Sequence, residues 1–116
     1  VDDEYRGRML RYLRTIWEPE TRGRSDAQLN ALIDDAASVG AEIGDMRLGA
    51  MTGLVVMQLV APELLSPDRL QKVIADPGVS RKQRAGMLMA PLAVRYEIPQ
   101  RLEFLGKIQA FTQYDF

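Results

Sequence analysis

Asp45-Met46-Arg47-Leu48-Gly49-Ala50-Met51-Thr52-Gly53-Leu54-Val55-Val56-Met57-Gln58-Leu59-Val60-Ala61 carries one base, Arg47, after its leading acid, and then no charge as far as Pro62. On a helix of about 3.6 residues per turn its apolar side chains point in every direction, which suits a helix enclosed by protein on all sides. The uncharged run is shorter than the roughly 18–20 residues that a membrane span requires, so it reads as the core helix of a bundle. Asp45 is expected to cap this helix and Ala61-Pro62 to end it. Gly49 and Gly53, four apart, give it a flat patch where another helix of the fold is expected to pack closely.

Outward from this centre the chain is punctuated as helices. On the N-terminal side, Ser25-Asp26-Ala27-Gln28 has the form of a capping box. The helix it opens turns Leu29, Leu32, Ile33 and Ala36 inward and Asp34 and Asp35 outward, with Gly40 placed to end it at positive φ. Before it, Tyr5, Met9, Tyr12, Leu13, Ile16 and Trp17 form one stripe of a first helix, which Glu18-Pro19 stops; residues 20–24 read as a polar loop. On the C-terminal side, Ser66-Pro67-Asp68 opens a short helix to Ala75 with Leu70, Val73 and Ile74 inward. After the Asp76-Pro77-Gly78 turn, Ser80-Arg81-Lys82-Gln83 is a second capping box, for a helix with Ala85, Leu88, Met89, Leu92 and Tyr96 inward and a kink or break expected at Pro91. Pro99 starts the last helix, with Leu102, Leu105, Ile108 and Phe111 as core candidates and Phe104 at the margin. No stretch alternates as a half-buried strand does. The fold class is all-α: one domain, a compact orthogonal or up-down bundle of five to six helices around the apolar helix at about 45–61.

The 116 residues include no cysteine and no histidine. Thiolate chemistry, disulfides, the usual zinc sites and the commonest proton-transfer side chain are therefore all excluded. Serine, threonine and lysine nucleophiles would lack a histidine base, glycines occur singly, and no pair of carboxylates is marked for acid–base work. The expectation is a chain that is not an enzyme, with no catalytic residue, cofactor or metal. Asp34, Asp35, Glu42 and Asp45 are the one acidic cluster, but adjacent acids on a helix diverge by about 100°, so a solvated face is the better reading than a cation site.

Net charge is -1. Residues 1–24 sum to +1, 25–64 to -5 and 65–116 to +3. Arg6, Arg8, Arg11, Arg14, Arg22 and Arg24 could track phosphates, yet Glu4 precedes Arg8 and Glu18 follows Arg14 by four residues, so a self-paired face is expected and nucleic acid is not. Arg81, Lys82 and Arg84 crowd a first helical turn against the macrodipole, and something acidic, inside the fold or outside it, is expected to offset them. Four of the eight aromatics, Phe104, Phe111, Tyr114 and Phe116, fall in the last thirteen residues. Phe111 is assigned to the core. Trp17, Phe104, Tyr114 and Phe116 are candidate partner-binding anchors, with Asp34 and Asp35 as candidate charged contacts. The opening Val1-Asp2-Asp3-Glu4 lacks the order of a signal peptide, so a cytoplasmic location is expected; the missing initiator Met suggests processing or upstream residues.

Met9-Leu10-Arg11-Tyr12-Leu13-Arg14, Trp17, Ser25-Asp26 with Leu29 and Leu32-Ile33, Ala41-Glu42-Ile43-Gly44, the apolar helix, and Leu70-Gln71-Lys72-Val73-Ile74-Ala75-Asp76-Pro77-Gly78-Val79-Ser80-Arg81 occur in that order. This series resembles small helical accessory proteins encoded beside bacterial type VI secretion effectors and their adaptor chaperones. The resemblance implies a non-enzymatic adaptor or co-chaperone whose partner is an effector or its chaperone. Two other functions are open: an immunity protein whose acidic middle covers a toxin's basic active site, and a nucleic-acid-binding helical domain. A homodimer is also compatible with an exposed aromatic patch.

Overall fold

In a computed structural model, which describes residues 2–95 and 98–113, side-chain caps open the first long helices. The Asp2 carboxylate accepts the Tyr5 N–H at 2.7 Å and starts α1 (Asp3–Ile16). After α2 (Glu18–Thr21), both halves of the Ser25/Gln28 box form and start α3 (Asp26–Ile43). Then follow α4 (Leu48–Val60), a 3₁₀ turn (Pro62–Leu65), α5 (Pro67–Ala75), α6 (Arg81–Arg95) and α7 (Ile98–Gln113). The all-α bundle is as expected, with one helix more among the described residues because residues read as a loop form α2. Pro19 sits in its first turn, where the missing N–H costs nothing, and the buried Thr21 hydroxyl donates to backbone carbonyls of the preceding turn.

The core sits around α4, where every residue from Met51 to Met57 is buried, and so is Leu59. α3, α6, α7 and the 3₁₀ turn pack on it, so no side of its buried stretch faces water. α1 closes the bundle through α3 and α7. There Phe111 of α7 meets Tyr12 edge-to-face at 5.2 Å and Tyr5 at 5.9 Å. Ile108 and Phe111 are buried as expected, whereas Leu105 is 48% exposed. Leu102 and Tyr96, also expected inward, lie outside the residues whose side chains are described.

Both turn residues flanking the α3–α4 connection do something other than expected. Gly40 does not end α3; Gly44 does, at φ 74°. Gly40 lies inside the helix, at a position where a Cβ would stand 2.7 Å from the sulfurs of both Met46 and Met51. Asp45 does not cap α4, which begins at Leu48 with Arg47 as its N-cap. Its carboxylate is buried and bonds Arg47 instead. At Gly53 the expected close packing occurs, since a Cβ would meet the Met89 methyl at 2.5 Å, while the space over Gly49 is open. α6 runs through Pro91 without a break, held on both sides of it by buried Leu88 and Leu92.

Candidate interaction surface

Trp17 is not a surface anchor: it is 3% exposed. Its indole N–H donates to the Tyr12 hydroxyl at 2.9 Å, which donates to the Lys107 carbonyl at 2.6 Å, and the Lys107 ammonium lies 4.8 Å from the indole ring centre. The helix-1 stripe therefore spends its tryptophan tying α1 to α7. Burial pushes the hydroxyls of Tyr5 and Tyr12 up to about 12. The other aromatic anchors, the Phe104 side chain, Tyr114 and Phe116, lie outside the described residues.

The acidic helix face is largely engaged within the chain. Asp34 receives Arg6 at 2.7 Å and Asp26 receives Arg14 at 2.8 Å, so these arginines of α1 pair across to α3, and Arg14 does so in place of the expected Glu18. Arg22 forks onto Glu18 through two bonds of 2.6 Å and holds that carboxyl below its ordinary range. Glu42 accepts from Gln71, and Asp35 is exposed. Asp45 accepts the backbone N–H, Nε and Nη2 of Arg47, bonds that hold its carboxyl below the usual range. Asp34, Asp35, Glu42 and Asp45 thus have separate surroundings, and among the described residues no three potential metal ligands converge.

The surface that stands out belongs to α6, which has no acid and, from Ala85 to Val94, no polar side chain at all. A helix of that kind is expected to be enclosed, as α4 is. Instead only one side docks, through Ala85, Leu88 and Leu92. The other side leaves Met87 48% and Val94 82% exposed, with Ala90 between them and Gly86 before them also open. Met87, Ala90, Pro91 and Val94 line a shallow groove of about 550 Å³ whose other wall is Arg69 of α5. The Arg69 guanidinium donates to the Leu64 carbonyl at 2.8 Å and the Leu88 carbonyl at 3.0 Å, which fixes it against the groove. The sequence reading picked the inward residues of this helix and missed the outward ones. The missing polar residues on its outer face were the available signal.

None of these features assembles a nucleophile, a base and an oxyanion donor in one cleft. The arrangement can present apolar surface beside a fixed cation, which is recognition chemistry. Compared with models of known protein families, with curated proteins and with solved structures, the chain matches none.

Proposed function

We propose that the chain is a non-enzymatic protein-binding module, an adaptor or co-chaperone of bacterial type, and that it binds its partner through the outer face of α6. The observation that carries this reading is the half-docked apolar helix. Leaving Met87, Ala90 and Val94 in water forgoes burial worth about 25 cal/mol per Å², and a second protein surface recovers it. The pairing of Arg6 with Asp34 and Arg14 with Asp26 supports it indirectly, because those groups are then less available for phosphates or for a toxin's basic site. Among the described residues no helix is long and apolar enough to cross a membrane, so a span offers no alternative use for α6.

The test is co-expression with the products of the adjacent genes, followed by purification and mass measurement. A stoichiometric complex that keeps the partner soluble, without restoring growth to cells carrying a toxin, is expected. Growth rescue would replace the adaptor reading with an immunity role, and a monomer that joins none of the neighbours would remove the binding role.

A further inference from the structure

We propose that the groove between Arg69 and the Met87–Val94 face of α6 receives an amphipathic helix of a partner protein, one bulky apolar side chain filling the groove and a neighbouring carboxylate pairing with Arg69. This deepens the binding-module reading and rests on it. Three observations point to an acidic, helical occupant.

The first is charge. α6 carries Arg81, Lys82 and Arg84 in its first turn and no acid, and among the described residues Arg69 is the one charged side chain lining the groove. Arg84 is committed to the carbonyls of Ile43 and Ile74, and Arg69 likewise bonds only carbonyls among the described residues. Carbonyl oxygens satisfy donors without neutralising the cation, so Arg69 and Arg84 keep a positive charge that favours carboxylates. The second is the same charge set applied to a second copy. Two α6 helices paired in parallel about a two-fold axis would set their basic first turns, Arg81, Lys82 and Arg84, against each other. The third is shape. Lipid surfaces take protruding apolar side chains with free basic ones above them, whereas here the apolar surface is a groove and its cation is pinned to two carbonyls. A groove with a fixed cation on one wall suits a helix that inserts a knob.

The experiment selects short peptides from a phage-displayed library on the purified chain and compares binding to V94E and V94K. Val94 is 82% exposed, so both variants should fold and melt as the parent does, which circular dichroism checks. Selected peptides should place Asp or Glu beside Leu or Phe at helical spacing. Their affinity should fall about tenfold in V94E, stay level or rise in V94K, and weaken with added salt. R69Q should weaken the same peptides, and neutral-flanked versions of them should not respond to R69Q. Binders without carboxylates, or binders indifferent to the V94E and V94K exchange, would overturn the acidic-helix inference while leaving a binding module standing. Failure to select any groove-dependent peptide would remove both. Sedimentation with phosphatidylglycerol vesicles, or self-association, lost in V94E would assign the face to a membrane or to a second copy and overturn the proposal.

Discussion

At the scale of single residues, the chain uses polar atoms to fasten its turns and helix pairs. Asp45 is the sharpest case, a carboxylate 4% exposed that accepts three bonds from the residue two places on. Replacing it with Asn should lower stability by about 1–3 kcal/mol, read as a shift of the urea midpoint at neutral pH. Because folding lowers its pKa, that stabilisation is present above the ordinary value of 3.8 and is lost as pH falls through the lower, folded value. The gap between parent and D45N should therefore close in strong acid. The tyrosines give the opposite sign. Tyr5 and Tyr12 hold their protons up to about 12, against 10.0 for a free side chain, so folding favours the protonated form. Their contribution is complete below 10 and disappears as pH rises towards 12. A spectrophotometric titration should show two tyrosines ionising late, and Y12F, which breaks the link between Trp17 and Lys107, should cost about 1–2 kcal/mol.

At the scale of elements, two glycines separate packing from propensity. Gly40 in α3 and Gly86 in α6 both sit inside helices, where alanine is intrinsically better by about 1 kcal/mol. At Gly86 nothing lies within 4 Å of the added methyl, so G86A should stabilise by about 0.5–1 kcal/mol. At Gly40 the methyl would meet two sulfurs at 2.7 Å and the Asp45 carbonyl oxygen at 3.2 Å. The sulfurs can swing away but the backbone oxygen cannot easily follow, so G40A should destabilise by about 1–2 kcal/mol. Thermal melting of both variants checks the pair, and a gain at Gly40 would mean that the α3–α4 connection is looser than its contacts imply. α6 itself shows why an apolar helix does not by itself identify a core. α4 and α6 share the lack of charge over long runs and each packs against four elements, yet α4 is buried from Met51 to Met57 while Met87 and Val94 of α6 stay exposed.

At the scale of the whole molecule, the cations of α6 and the internal pairing of α1 with α3 predict a monomer in the absence of partner. Light scattering at micromolar concentration should return the mass of one chain, 13.1 kDa. The helical class, the enclosed helix and most caps were legible from residue order, because 3.6-residue periodicity, Ser-x-x-Gln boxes and prolines act over a few neighbours. The absence of cysteine and histidine likewise needed no coordinates to narrow the chemistry. What three-dimensional packing decided was where each face ended up. Trp17 could have stood at an edge or inside; contact with Tyr12 and Lys107, the latter ninety residues away in sequence, puts it inside. Asp45 could have capped a helix, but the bend between α3 and α4 buries it against Arg47. Whether the bare side of α6 met a neighbour depended on how many helices remained to cover it. Local sequence sets which segments coil and which stripes are apolar, while burial of a given stripe is a property of all the helices at once, since each surface is removed from water only by another surface that the chain brings to it.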